Sequence, residues 1–411
     1  MSLYQVNEKI KDVFARMMED DRVRAGLSFI ESDQIRAIED NKQMVQIAAP
    51  TFHEAERAAD YAERLRALGL VDVHVDRHGN ALGKRPGQGN GPTILIEAHL
   101  DTVFPLGTDL TPVEREGRIY APGIGDDTRG LAANLSLVRA LHQIGIETEG
   151  DIIVAGTVRE EGQGGLHGIK TLLEDHPEVA ASISIDGAGC DSIIYQGTGI
   201  RNLVVTYTGP GGHAYSAFGT PSPLHAAARA VAKISNIRPP VVPKTTFTVS
   251  LIEGGHQIHA IAQKAKFSIN LRSDDPQALD ELYQQVLTAM EAGAREENER
   301  WGKDVITMGY EIVLDDPAVV QPDDAEIVQV AWVATECIGV QPRLVPGGNT
   351  NASMPIMMGV PAVNLGRGGK EGGVHTLEEW FDPEGAYLAP QKSLLILLAL
   401  AGLRGVTKPL L

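Results

Sequence analysis

The chain has 411 residues, 43% of them hydrophobic and 22% charged, with a formal net charge of −18. That length predicts two or three domains, and the composition is that of a soluble globular protein. So acidic a surface argues against nucleic acid and anionic membrane as partners.

The N-terminal stretch "MSLYQVNEKIKDVFARMMEDD" is polar and has no apolar segment, so no signal peptide is expected. Residues 55–69, "AERAADYAERLRALG", are helix formers closed by glycine. "VDVHVDRHGNALGKRPG" alternates and turns at His78-Gly79-Asn80, as an antiparallel hairpin would. Three short runs predict buried strands: "TILIEA" at 93–98, "DIIVAGTV" at 151–158 and "ASISID" at 181–186. After the first, "DDTRGLAANLSLVRALHQIG" predicts an amphipathic helix with Leu131, Leu135, Val138 and Leu141 as its apolar stripe and Gly145 as its stop. Strands alternating with helices in this way predict an α/β layer fold.

The middle of the chain changes character. Strands are expected at 201–209, 245–255, 263–273 and 304–313, and helices at 223–237 and 276–300. That order is β-α-β-β-α-β, the pattern of a ferredoxin-like module. Residues 325–339 then resume helix, and "PAVNLGRGG" adds a buried strand and a glycine-rich loop. The apolar run "LLILLALAGL" at 394–403 is too short to span a bilayer and reads as a buried helix. The expected organisation is a discontinuous main domain, 1–198 and 316–411, with a smaller domain of 199–315 inserted in it. The two cysteines, Cys190 and Cys337, are far apart, which excludes a disulfide scaffold and a CxxC metal site and suits the cytoplasm.

Four stretches that bear acids or histidine follow buried strands or open a helix. "EAHLDTVFP" carries His99 and Asp101, "GIGDDTRG" carries Asp126 and Asp127, "REEGQGG" carries Glu160 and Glu161, and "IDGAG" carries Asp186. A late glycine-rich loop, "GGVHTLEEW", carries His375. Ligands of open α/β sheets bind outside the carboxyl ends of the strands, so these stretches can share one crevice. Imidazole with several carboxylates and no thiolate is the ligand set of a hydrolytic Zn²⁺ or Mn²⁺ site. Taken singly, Asp126 and Asp127 also fit a helix cap, and His375 also fits an ordinary loop histidine. "GRGGKEGG" at 366–373 lacks the GK[ST] of a phosphate loop, and no GxSxG occurs.

In order, "HLDT", "GIGDDTRG", "REEG", "SIDG" and "VHT" resemble the motifs of the co-catalytic di-zinc exopeptidases and deacylases, the family of peptidase T, carboxypeptidase G and succinyl-diaminopimelate desuccinylase. The resemblance covers nearly the whole chain. It implies a zinc-exopeptidase-like α/β catalytic domain with a ferredoxin-like lid that also serves dimerisation. It implies two Zn²⁺ per subunit, with Mn²⁺ or Co²⁺ as substitutes. Asp126 would bridge the metals, His99 and Asp186 would hold one, and Glu161 and His375 the other. Asp101 would orient His99, and Glu160 would be the general base. A cis peptide would join Asp126 to Asp127.

In the lid, His213 resembles the histidine that reaches a neighbouring subunit's site and stabilises the oxyanion. Arg272 resembles the arginine that holds a substrate carboxylate. Asn351, in "PGGNTNASM", lies in the loop expected beside the substrate, where many relatives carry Asp, and His259 stands where relatives often carry Asn. The late "VHT" with its following acids is closest in character to peptidase T. The expectation is therefore a homodimeric di- or tripeptide aminopeptidase acting on short peptides. An N-acyl amino acid deacylase or carboxypeptidase is the alternative within the family, and a non-catalytic peptide-binding protein on the same fold is the alternative outside it.

Overall fold

The β-branched runs form the middle of an eight-stranded sheet in the computed structural model, which describes residues 4–411; the first three residues of the polar N-terminal stretch lie outside it. Strand Thr93–His99 pairs in parallel with Ile152–Thr157 on one side and Val179–Ile185 on the other. Ala362–Leu365 extends the parallel set. Hairpin Val71–Val75/Ala81–Arg85 closes one edge, and the short strands Ser192–Ile194 and Arg343–Val345 close the other. Strands Thr93–His99 and Ile152–Thr157 are buried at every position. Burial on both faces is why these segments read as continuous apolar runs rather than alternating ones. Ile94, Ile96 and Ala98 face one core and Leu95 faces the other.

The chain leaves Thr93–His99, passes through helix Thr128–Gln143 to the strand on one side, then returns through helix His167–Asp175 to the strand on the other. The connections diverge at the carboxyl end of Thr93–His99, which opens a crevice there. Helix Thr128–Gln143 departs from the amphipathic expectation: every residue from Thr128 to Leu141 is buried. It lies against the sheet and under helices Asp21–Val45 and Leu388–Ala401. Its polar side is neutralised there, with Arg139 paired to Asp33 at 2.6 Å and Asp40 at 2.7 Å.

The hairpin turn is set by Asp76, whose carboxylate accepts from the N–H groups of His78, Gly79 and Asn80 at 2.7–2.9 Å while Gly79 takes φ +104°.

Residues Gly197–Val319 form a separate compact unit, and the chain on either side of them forms the larger one. The smaller unit is an antiparallel sheet in the order Thr245–Gly254, Lys264–Ser273, Gly199–Thr208, Thr307–Asp316. Helices Pro223–Ile234 and Pro276–Trp301 share one core with Val205, Tyr207, Phe267 and Ile269 of the sheet. Asp275 caps the longer helix by accepting from Ala278 N at 2.8 Å. Among the described residues, no helix is long and apolar enough to cross a membrane.

Helix Leu388–Ala401, read from sequence as buried, is buried at every position from Ala389 to Ala401, Lys392 included. The Lys392 ammonium donates to the Cys190 carbonyl at 2.8 Å, and burial pushes its pKa down to about 8. The unfolded chain holds that proton to about pH 10.4. Between the two values the unfolded state binds more protons, so this group adds stability as pH rises. The difference in unfolding free energy between Lys392→Met and the wild type should therefore shift in favour of the wild type by about 3 kcal/mol from about pH 7 to pH 10.5. Denaturant titrations check this, and a difference independent of pH would show an ordinary lysine.

Candidate metal centre

His99 ends its strand at the crevice. Its backbone N–H donates to Asp127 Oδ2 at 3.0 Å, and its Nδ1 donates to the Asp101 carbonyl at 3.0 Å. That bond leaves Nε2 to face Asp126 Oδ1, 3.0 Å away. Burial works against charge on this ring, but hydrogen bonds to Asp101 and Asp126 outweigh it and hold the pKa well above the ordinary value. The pocket thus favours positive charge at Nε2.

Asp101 does more than the one part expected of it. Its carboxylate is 3.5 Å from His99 Nδ1. It also accepts from the backbone N–H groups of Glu160 and Glu161, at 3.0 Å each, and from the Thr51 hydroxyl at 2.9 Å. These contacts and His99 keep its pKa low despite burial. Both the carbonyl and the carboxylate of Asp101 face His99 Nδ1, and the carboxylate also ties the "REEG" turn to the end of the neighbouring strand. Just before that turn Arg159 takes φ +58°, which breaks strand alternation and frees the two glutamates from opposite faces.

Asp126 and Asp127 are joined by a cis peptide. Asp127 caps helix Thr128–Gln143 by accepting from Gly130 N at 3.2 Å. A Cβ on Gly130 would stand 2.3 Å from that carboxylate and 2.6 Å from the Ile185 carbonyl, so only glycine lets the helix start so close to the strand. Asp126 divides its two oxygens: Oδ1 faces His99 Nε2 at 3.0 Å and Oδ2 faces His375 Nε2 at 3.1 Å. Burial would raise its pKa, but Arg367, His375 and His99 hold it well below the carboxylate range.

Glu161 is buried, with Oε1 2.8 Å from His375 Nε2. His375 has φ +64° and a half-exposed side chain. Asp126 above all, against burial and with help from Glu161, lifts its pKa to about 9. Burial, reinforced by Asp186, Glu161 and Asp101, pushes Glu160 well above its ordinary pKa, although His99 opposes this. Asp186 follows strand Val179–Ile185, with its N–H on the Leu365 carbonyl at 2.9 Å, and burial raises its pKa too.

Donor atoms of His99, Asp126 and Asp186 lie within 4.8 Å of one another, as do those of Asp126, Glu161 and His375, and those of His99, Glu160 and Glu161. The first two groups share Asp126. Two trios of nitrogen and oxygen donors meeting at one carboxylate fit a pair of divalent ions.

Three residues at the site escaped sequence reasoning. Glu379 accepts from the N–H groups of Gly123, Gly125 and Asp126, each at 2.9 Å, and so shapes the loop that presents Asp126. The acids after "VHT" were its one signal. Arg367 and Glu371 lie inside the glycine-rich stretch set aside as no phosphate loop. Arg367 Nη1 reaches Asp126, Asp127 and Asp186, and its other nitrogens fork onto Glu371.

Asn351, expected to face substrate, is only 1% exposed, and its amide donates to Glu97 at 2.8 Å and Thr157 at 2.9 Å. A buried carboxylate needs a donor, and Asn351 supplies one beneath the site. His213 and Arg272 belong to the Gly197–Val319 unit. His213 is exposed, and its Nδ1 accepts from the N–H groups of Tyr215 and Ser216 at 3.3 Å. Arg272 is exposed on strand Lys264–Ser273.

Known proteins share this plan. The model of peptidase family M20/M25/M40 matches residues 95–397. Succinyl-diaminopimelate desuccinylase of Corynebacterium glutamicum is 24% identical over 335 residues, 80% of this chain and 87% of that one. The crystal structure of aminopeptidase PepT from Bacillus cereus superposes with a TM-score of 0.75 at 25% identity, covering 88% of this chain and 97% of that one. A tripeptidase from Staphylococcus aureus superposes with a TM-score of 0.77 at 23% identity over the same shares. With two donor trios sharing an aspartate at the carboxyl edge of its sheet, and with the family match over most of its length, the chain belongs to peptidase family M20/M25/M40 and is a metal-dependent hydrolase.

Proposed function

We propose that the protein is a di-zinc exopeptidase that removes residues from di- and tripeptides. The observation that carries this reading is the division of Asp126 between the imidazoles of His99 and His375. Asp126 would be common to both ions, with His99 and Asp186 on one and Glu161 and His375 on the other. Such ions supply Lewis acidity toward the scissile carbonyl and lower the pKa of water.

The remaining chemistry belongs to side chains. Glu160, pushed up by burial, takes a proton from the attacking water and returns it to the leaving amine. Asp101 fixes the backbone of Glu160 and Glu161 so that the first faces the reaction and the second a metal. The two N–H groups on His213 Nδ1 leave its Nε2 as the protonated nitrogen, a donor for a developing oxyanion. Arg272 would hold the substrate carboxylate. The order of strands and helices in Gly197–Val319 supports reading it as a ferredoxin-like lid and dimerisation domain, with His213 acting in the site of the second subunit. Its two unpaired cysteines suit the protein to the cytoplasm.

A deacylase reading has one specific support, the likeness to the desuccinylase over most of both chains. The PepT and tripeptidase structures support the peptidase reading.

Three experiments follow from this assignment. Glu160→Gln should keep both metals by elemental analysis and lose activity by about 10²–10⁴-fold, whereas Glu161→Ala should lose one metal. Equal metal loss in the two would refute the division of labour. On Zn²⁺-loaded enzyme, tripeptides and dipeptides with a free amino end should be cleaved faster than N-succinyl and N-acetyl amino acids; the reverse order would make it a deacylase. Mixing inactive Glu160→Gln with inactive His213→Ala should restore activity, because one site of the heterodimer then has both groups. No recovery after verified subunit exchange would confine His213 to its own subunit.

A further inference from the structure

Arg367 is an unusual neighbour for metal ligands. It is 2% exposed, and a guanidinium does not shed its charge to ease burial. Its Nη1 stands 3.0 Å from Asp126 Oδ1, 3.0 Å from Asp127 Oδ1 and 3.1 Å from Asp186 Oδ1. The rest of the fork is locked, with Nε on Glu371 Oε2 and Nη2 on Glu371 Oε1, both at 2.9 Å. The main chain is held as well. Arg367 N–H donates to the Gly187 carbonyl at 2.9 Å, and a Cβ on the adjacent Gly366 would lie 2.2 Å from the Gly189 carbonyl. Side chain and backbone are both tethered.

The two donor trios meet this charge unequally. In the His99–Asp126–Asp186 trio, two of three ligands already give an oxygen to Arg367. The Asp126–Glu161–His375 trio uses the other Asp126 oxygen, which faces His375 rather than the guanidinium. The trios also differ in access, since His99 is buried and the His375 side chain is half-exposed. A fixed positive charge beside a buried site opposes a divalent cation there far more than it would in water.

We propose that Arg367 ranks the two metal positions: it makes the buried His99–Asp126–Asp186 position the weaker one and leaves the Asp126–Glu161–His375 position to load first. In the protein without metal it is also the counter-charge that keeps Asp126, Asp127 and Asp186 gathered. Arg367 is a positioning residue that acts through these carboxylates. The inference rests on the two-metal reading above, and metal binding itself, rather than turnover, tests it.

Metal-free full-length protein is dialysed against buffered Zn²⁺ at rising free concentration, and bound zinc is counted by elemental analysis. The wild type should take up two ions in two steps whose dissociation constants differ at least tenfold. His375→Ala should lose the tight step and His99→Ala the weak one. Arg367→Met should tighten the weak step at least tenfold. Glu371→Gln should do the opposite and weaken it several-fold, because the guanidinium loses its compensating carboxylate. Opposite shifts separate this role from simple support of the fold, which would move both variants the same way. Should Arg367→Met fail to fold by circular dichroism, Glu371→Gln decides alone. Two equal steps in the wild type, loss of the tight step in His99→Ala, a weak step unchanged or weakened by Arg367→Met, or one unchanged or tightened by Glu371→Gln would each overturn the ranking and leave the two-metal reading standing. No bound zinc in the wild type would overturn both.

Discussion

Carboxylates crowded out of water repel one another, and this site is built around that difficulty. Asp101, Asp126, Asp127, Glu161 and Asp186 gather at the carboxyl edge of one sheet, and burial alone would protonate them. Several kinds of partner answer them. Backbone N–H groups answer Asp101 and Asp127, imidazoles and a guanidinium answer Asp126, and the same guanidinium answers Asp186. At Glu160, where Asp186, Glu161 and Asp101 reinforce burial, the pKa rises well above its ordinary value, as it does at Asp127. A group that must take up a proton gains from that environment, and a group that must stay anionic does not. Burial raises the pKa of both adjacent glutamates, and it raises that of Glu160 well above the ordinary value.

The sheet supplies the rigidity this sorting needs. Parallel strands end together, so His99, the "REEG" turn and Asp186 all start from fixed backbone. Loops then add what strands cannot. Arg159 in a left-handed conformation turns both glutamates inward, and Glu379 gathers three N–H groups to shape the loop of Asp126. Asp101 joins two of these parts, holding His99 through its carbonyl and the glutamates through its carboxylate. Buried polar networks of this kind hold a geometry firmly because every missing partner is costly.

Much of the site was legible because its residues lie beside strong local signals. His99, Glu161 and Asp186 follow apolar runs that form strands wherever they are buried, and Asp126 precedes a helix start. Arg367 and Glu371 had no such signal, since a glycine-rich loop has no periodicity to show which way a side chain turns. Asn351 was set beside the substrate by the resemblance of its loop alone, and only the fold reveals the buried Glu97 that accepts from its amide. The helix Thr128–Gln143 shows the converse. The sequence predicted an amphipathic helix there, and Asp33 and Asp40, about a hundred positions away, pair Arg139 in the interior.

Sequence by itself determined the α/β class, the buried strands and which nitrogen- and oxygen-bearing residues could share one crevice, because apolar runs, helix stops and short ordered motifs are local and survive without neighbours. Tertiary structure alone decided which oxygen faces which imidazole, how far burial raises two adjacent glutamates, and that a buried arginine contacts three of the carboxylates. Those are matters of distances between residues far apart in the chain and of the low dielectric that burial creates, and neither is written in any short stretch of sequence.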